Sequence, residues 1–471
     1  VPYTNPLPLS IAGGAAGHHL GTAGHHPRLH EAFNTGPLFV VDQDFGAVGD
    51  GSTDDTGAIN AALAAVPATG GVVYLPWGRY KITAPLLIQQ EATMLVGAGT
   101  GQRVGATQDA VGARIEVGAG FTGSQAIRVQ RVADDRPLYG VTLRDFTLDG
   151  GTVGSGVDGI LYRSNRGLVD HVHVHRMSGA GFHLLGYATW DLYDTVLRTI
   201  QAGDNAAAGV YYDSFSADGH MIGSVVYNNQ DSVLIKAGSL QITGCHLYDA
   251  TRYNVFFDGG GSRTKIEACK IEGAGQHGIN IDSTNGGFSD IQILGCGISS
   301  NGDSSNNTYD NVIVQGPSGN GVGRTVIVGN AIGVKSGVTN EARYGVNLAS
   351  TAAQNTLITG NVFTAASSFG TAAVNNAGST SLPAIIRQNI NWVTESSGTV
   401  AFGAAITSVT GVAHGLSVTP AAKDFSLQFA ADPLAAGHAW VSAITSTDFT
   451  LNLKAAPGGA GTTVAWQAQV L

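Results

Sequence analysis

Two apolar patterns run through this chain together, returning every 22–34 residues between about residues 141 and 392. The first is I-x-G-[CN]-x-[IL], seen in ITGCHL (242–247), IEACKI (266–271), ILGCGI (293–298), IVGNAI (327–332), ITGNVF (358–363) and IRQNIN (386–391). The second is an alternating strand, seen in GILYR (159–163), GFHLL (181–185), GVYYD (209–213), SVLIK (232–236), NVFFD (254–258), GINID (278–282), NVIVQ (311–315) and GVNLA (345–349). A unit of this length cannot bury its apolar side alone, so stacking on its neighbours, a β-solenoid, is the expected answer.

Composition agrees. Glycine supplies 67 of 471 residues, 43% of the chain is hydrophobic and only 12% is charged, which fits many short strands with tight turns and excludes disorder. No run of 18 apolar residues occurs, so no membrane insertion is expected. A net charge of −10 argues against a nucleic-acid partner and leaves glycans open. Val1 is not followed by a basic and then apolar leader, so no secretory signal is expected in the sequence, a processed form aside. Three cysteines cannot form a disulfide framework. Cys245, Cys269 and Cys296 share one repeat position, followed there by Asn330, Asn361 and Asn389. They are expected to be stacked, reduced and buried. One ligand per rung would make a poor metal site.

Residues 1–37 are rich in Gly, Ala and His and read as a connector ending in a short helix over 27–34. His18, His19, His25, His26 and His30 have no fixed ligand period, so no metal is expected there. From Val40 the text reads strand, polar turn, amphipathic helix near 54–65, then strand, with Asp54 or Asp55 as N-cap and Ile59 and Leu63 on the apolar face. Capping explains this Asp pair better than a catalytic dyad. The run FGAVGDGSTDDTGAINAAL followed by GGVVYLPWGRYKI closely resembles the opening of the pectate-lyase-like superfamily of right-handed β-helix proteins. The resemblance implies an all-β, right-handed parallel β-helix over 38–394, its N-terminal end capped by that helix. It says little about chemistry, because the superfamily holds lyases, hydrolases and phage tailspikes. Residues 395–471 read as alternating strands of a small β-sandwich serving trimerisation or glycan binding. HGLSVTP and WVSAITSTDFTLNL within them look like C-terminal domains of phage tail proteins, and GHHPRLHEAFN is similar to connectors in such proteins.

Alternation puts Ile160, Phe182, Val210, Val233, Val255 and Ile279 inside, and the residues one and three further on outside, in ladders stepping about 4.8 Å. The outer ladder reads Arg163, Leu185, Asp213, Lys236, Asp258, Asp282, Gln315, Ala349. Asp258 and Asp282, one rung apart, fall within roughly 5–6 Å, the spacing of a retaining glycosidase pair. Asp213 and Asp258, two rungs apart at about 9–10 Å, approach the inverting range. Lys236 would hold a neighbouring carboxylate charged, and repulsion would keep one member of the close pair protonated. A solvated ladder with Lys236 offsetting its neighbours is the plain alternative. The adjoining ladder reads Leu161, His183, Tyr211, Leu234, Phe256, Asn280, Ile313, Asn347, and the position before the strand offers Tyr253 and His277. Aromatic faces beside carboxylates suit sugar rings and equally suit a subunit interface. On the other line, outward residues run Asp149, His175, Arg198, Asn228, Tyr248, Glu272, so Glu272 with Tyr248 and His246 is a second candidate cluster. His173 and His175 share one outward face of a strand as an H-x-H pair that can ligate zinc, with carboxylates adjacent at Asp149 and Asp170, but a solvated or interface face is the expected reading.

The expected protein is therefore an extracellular, phage-type tailspike: a homotrimer, joined to the virion baseplate or tail through its N-terminus, that binds and depolymerises a bacterial surface polysaccharide (capsule, exopolysaccharide or O-antigen). Catalysis is assigned to Asp258, Asp282 and Asp213, with Glu272 in reserve. Substrate binding is assigned to Tyr211, Lys236, Tyr253, Phe256, His277 and His183. No cofactor or metal is expected. Glycoside hydrolysis is favoured because carboxylates dominate, while Lys236, Tyr253 and His277 keep a lyase open. A receptor-binding spike without catalysis and a secreted bacterial lyase are the other readings.

Overall fold

The computed structural model describes residues 37–101, 112–132, 136–151, 153–236, 238–334, 340–364, 369–430 and 433–470. The N-terminal histidines and the helix expected over 27–34 lie outside them. From Leu38 to Arg387 the chain winds into a right-handed parallel β-helix, in which neighbouring coils pair strand on strand. One sheet joins 23 described strands. A second holds eleven, running in chain order from Leu86–Ile88 to Ala372–Asn376, with every pairing parallel. The apolar residues of both repeat lines meet in one continuous core, where Ile160, Phe182, Val210, Val233, Val255 and Ile279 are all buried.

The two repeat lines meet at corners built for tight turning. Gly244, Gly295, Gly329 and Gly360 sit at the x-G-[CN] position with φ between +59° and +69°, and Ala268 takes the same left-handed turn at φ +53°. The residue after each corner points inward. Cys245, Cys269 and Cys296 are buried there, with Cys296 Sγ 3.4 Å from Cys269 N, and the asparagines continue the column. Asn330 Oδ1 accepts from Cys296 N at 2.8 Å, Asn361 Oδ1 from Asn330 N at 3.0 Å, and Asn389 Oδ1 from Asn361 N at 3.0 Å. Each amide thus satisfies a backbone donor of the coil before it, which a buried corner requires. Two further buried asparagine contacts, Asn205 with Asn229 and Asn254 with Asn301, were not apparent from the sequence.

The helix runs Thr56–Ala65 and buries Ile59, Ala62 and Leu63 against the first coils. Its capping is divided between the two expected aspartates. Asp55 is the N-cap residue, but its carboxylate accepts from Val48 N and Gly49 N and so ties down the preceding loop. Asp54 accepts from Thr56 N at 3.1 Å and from the Thr83 hydroxyl, linking the helix to the strand that follows. After the last coil, Glu395–Phe402, Phe425–Phe429 and Thr462–Gln469 form one antiparallel sheet, and Ser408–Ala413, Ala439–Ser442 and Asp448–Leu453 form another. Phe402, Phe449, Leu451, Val464 and Trp466 fill a core shared by the two.

Candidate active site

The outward face of the eleven-stranded sheet carries the expected ladder. Asp258 pairs in register with Asp282, and Asp282 with Gln315. Lys236 N donates to Tyr212 O and Asp213 N to Leu184 O, so both continue the same column beyond their strands. The adjoining column aligns His183 with Tyr211, Leu234, Phe256 and Asn280. Leu161, Asn280, Ile313 and Asn347, expected outside, are buried because neighbouring side chains and loops close over them.

At the N-terminal end of the ladder, side chains reach across columns. His183 Nδ1 lies 2.8 Å from Asp158 Oδ2, and its Nε2 lies 3.1 Å from Asp213 Oδ2. Burial works against the imidazolium, but the two carboxylates outweigh it and move His183 up to about 9. Burial likewise opposes the Asp213 charge, yet His183, the Ser214 amide and the Tyr211 hydroxyl bring this carboxyl down to about 2. Asp213 is therefore a fixed anion at neutral pH. Tyr211 stacks on His183, with ring centroids 4.7 Å apart, and Lys236 Nζ stands 5.9 Å from the centre of the Tyr211 ring. Burial and the neighbouring Asp213 push the Tyr211 phenol upward, so it stays a hydroxyl donor. The column reading of the sequence missed the His183 bridge, because Asp158, His183 and Asp213 belong to three different columns.

Two and three rungs on from Asp213, the two paired carboxylates have unlike surroundings. Asp258 makes an ion pair with Lys236 at 3.4 Å and accepts from Asn285 Nδ2 at 2.6 Å. Among the described residues, Asp282 accepts only from neutral groups: the Thr284 amide at 2.9 Å, the Thr284 hydroxyl at 2.6 Å and Gln315 Nε2 at 3.3 Å.

Beside them, Tyr253 and Phe256 form a tilted pair with centroids 4.9 Å apart, and the Arg252 guanidinium lies 5.0 Å over each ring. Arg252 also grips the buried Asp231 through two hydrogen bonds, and Arg343 grips the buried Asp310 in the same way at 3.0 and 2.8 Å. His277 is not an open sugar contact. It is buried between Tyr253 and Tyr309, its Nδ1 accepts from Asp310 N at 3.0 Å, and burial brings it down to about 4.

The second cluster lies on the larger sheet. His246 Nε2 is 3.1 Å from Glu272 Oε1, Lys270 Nζ is 2.5 Å from the same oxygen, and His246 stacks on Tyr248. Its column runs Asp149, His175, Gly203, Tyr227, Tyr248, Glu272. Arg198 and Asn228 do not belong to it. Arg198 pairs with Asp170, on the other side of a left-handed turn at Thr199, and Asn228 is itself left-handed just past the strand. His173 and His175 are buried, and burial brings His173 down to about 3, so neither is an open ligand. Among the described residues no group of three or more His, Cys, Asp or Glu converges as a metal site.

Residues 39–280 match the family model described as rhamnogalacturonase A/epimerase, pectate lyase-like. Mannuronan C5-epimerase AlgE5 of Azotobacter vinelandii is 29% identical over 262 residues, covering 51% of this chain and 24% of its own length. Depolymerase 1, capsule KN3-specific, of Klebsiella phage KN3-1 is 30% identical over 186 residues, covering 37% of this chain and 22% of its own. The chain thus spans about a quarter of the length of these relatives. Among solved structures, the tailspike protein gp49 from Pseudomonas phage LKA1 shares the fold, with a TM-score of 0.56 at 14% identity over 91% of this chain and 99% of that one. With half its length in that family match, from the capping strands through the Asp258 strand, the chain belongs to the rhamnogalacturonase A/epimerase, pectate lyase-like family.

Proposed function

We propose that this protein binds and depolymerises a bacterial surface polysaccharide along the outward face of the eleven-stranded sheet, by glycoside hydrolysis. The observation that carries the reading is the register pairing of Asp258 with Asp282 in unlike surroundings. Asp258, beside Lys236, takes the anionic role. Asp282, held by neutral donors, takes the proton-donating role, and one coil step between them suits a retaining pair. Tyr253 and Phe256 offer ring faces for sugars, with Arg252 behind them. Similarity to a capsule-specific phage depolymerase, and the tail-like sequences at both termini, support a homotrimeric tailspike carried on the virion tail. In this arrangement 38–394 is the catalytic β-helix and 395–471 the trimerisation or glycan-binding unit.

A second reading has its own support. Tyr211, His183, Asp213 and Lys236 gather a phenol, an imidazole, a carboxylate and an amine at one point, the groups needed to move a proton beside a sugar carboxylate, and the mannuronan epimerase is a relative. One experiment separates the two. Digestion of host capsule that releases new reducing ends without ultraviolet-absorbing unsaturated sugars supports hydrolysis. Unsaturated ends, or altered uronate stereochemistry without chain cleavage, move the chemistry to Tyr211.

A further inference from the structure

We propose that the N-terminal rungs of this face form a subsite for an acidic sugar, in which Arg163 and Arg128 hold the anionic group and Trp190 and Phe215 present apolar surface to the ring. The inference rests on the polysaccharide reading above and names the charge of the sugar.

Arginine is normally spoken for in this protein. Arg79, Arg176, Arg198, Arg252, Arg324 and Arg343 each grip a carboxylate with two nitrogens. Arg128 and Arg163 do not. Arg128 gives one hydrogen bond to Gln125 Oε1 at 2.9 Å, and the Arg163 guanidinium lies 4.4 Å over the Tyr187 ring, with no carboxylate beside either among the described residues. Three buried polar atoms here have no hydrogen-bond partner among the described residues: Arg128 Nε, Arg163 Nε and the Tyr187 hydroxyl. An orphaned donor is costly, and water or a ligand that reaches it relieves that cost.

Arg128 pairs in register with Leu161, two residues before Arg163, so both arginines share the outward face that carries Asp213. From Arg163 to Asp213 is two coil steps, about 10 Å along the face. An anion seated at the arginines therefore lies beside the acid ladder and outside it. The face then differs along its length, with Arg128 and Arg163 beside the Asp158–His183–Asp213 bridge at one end and the Asp258–Asp282 pair at the other, which orients a bound chain.

The loops at this end are shaped around Phe215. Gly186 N donates to Ser214 O at 3.2 Å and Leu192 N to Phe215 O at 2.7 Å, while Tyr187 and Trp190 close the turn between them by mutual backbone bonds. Phe215 is 46% exposed and Trp190 50% exposed. Phe215 holds φ +61°, the left-handed turn that Thr199, Asn228 and Ala268 also make in this solenoid. Exposed aromatics on loops fixed to a rigid solenoid, next to unpaired guanidinium groups, fit a pyranose that carries a carboxylate.

The test measures binding, so it does not depend on cleavage. Mannuronate oligomers and their carboxyl-reduced counterparts are titrated calorimetrically into the full chain and into an Asp258→Asn/Asp282→Asn background. The acid oligomers should bind at least about tenfold tighter than the reduced ones. Arg163→Gln should remove about tenfold of the affinity for the acid oligomers only, and Arg163→Lys should restore part of it. Trp190→Ala should weaken both ligands, whereas Trp77→Ala, which alters another exposed tryptophan, should weaken neither. Equal affinity for acid and reduced oligomers, or unchanged binding by Arg163→Gln, overturns the subsite. If binding follows this pattern while the Asp258/Asp282 variant still cleaves capsule, the hydrolytic reading fails and the subsite stands.

Discussion

His183 Nε2 and Asp213 Oδ2 lie 3.1 Å apart across one coil step, and each fixes the charge of the other. His183 rises from 6.5 to about 9, so the stability it contributes is complete below its unfolded value and is lost as pH climbs through 9. Asp213 falls from 3.8 to about 2, so its share is present above 3.8 and is lost as pH drops through 2. The two limbs share the His183–Asp213 contact and do not add, and Asp158 on the other ring nitrogen contributes first to the His183 limb. At about 1.4 kcal/mol per tenfold, the His183 limb is worth about 3 kcal/mol. Denaturation midpoints should hold from about pH 4 to 6, decline between about pH 6.5 and 9 and level off above that, and His183→Gln should flatten that alkaline decline. An imidazole resonance of His183 titrating near 6.5 would contradict the bridge.

Asp258→Asn and Asp282→Asn should each reduce capsule cleavage by about 10²–10⁴, with circular dichroism unchanged, since loss of a general acid or its partner commonly costs that much. Lys236→Met removes the 3.4 Å partner of Asp258 and should cost less, about tenfold, with an altered pH–rate profile as its distinguishing sign. Reducing-end release from purified capsule at several pH values measures all three. Wild-type rates in both Asn variants would leave the ladder as solvated surface, and Glu272 with His246 and Tyr248 would be next to test.

The solenoid was legible because its periodicity is a backbone property: each coil must repeat the inward apolar positions that its neighbours repeat. The register of Cys245, Cys269 and Cys296 and the pairing of Asp258 with Asp282 follow from that alone. What escaped was whatever depends on side-chain length and on loops. Asp158, His183 and Asp213 meet because an imidazole bridges between columns. His277 looked outward by position but is covered by Tyr309, from a loop the period does not specify. The Arg198 assignment slipped because a left-handed turn at Thr199 splits one strand line into two, and the Asn228 assignment because the chain turns left-handed there, one residue past the Tyr227 position.

The corner column should rank its substitutions by what each side chain bonds. Asn361 accepts from Asn330 N, and its own amide donates to Ile327 O at 2.9 Å and Asn389 Oδ1 at 3.0 Å. Asn361→Ala strands those groups in the interior and should cost about 2–4 kcal/mol. The Cys269 thiol gives only weak contacts to Ile242 O and Glu267 O, so Cys269→Ala should cost about 1–2 kcal/mol. Urea midpoints at constant slope report the order. A larger loss at Cys269 than at Asn361 would show that packing, not amide bonding, holds the corner.

Arg252 has two duties, and they can be separated. It neutralises Asp231, which is buried, and it underlies Tyr253 and Phe256 on the outward face. Burial raises the Asp231 carboxyl despite the arginine, so an Asp231 without its partner is a costly buried charge. Arg252→Met should therefore destabilise the protein by about 3–5 kcal/mol at neutral pH. The loss should shrink toward pH 4, because protonation removes the unpaired charge. Asp231→Asn/Arg252→Met should regain much of that stability, since an amide in place of the carboxylate leaves no charge to bury. The double variant still lacks the guanidinium behind the rings, so its affinity for glycan should remain lower than that of the native chain. Thermal melts at pH 4 and 7, paired with oligosaccharide titrations on the double variant, test both duties. Full recovery of affinity along with stability would confine Arg252 to the fold.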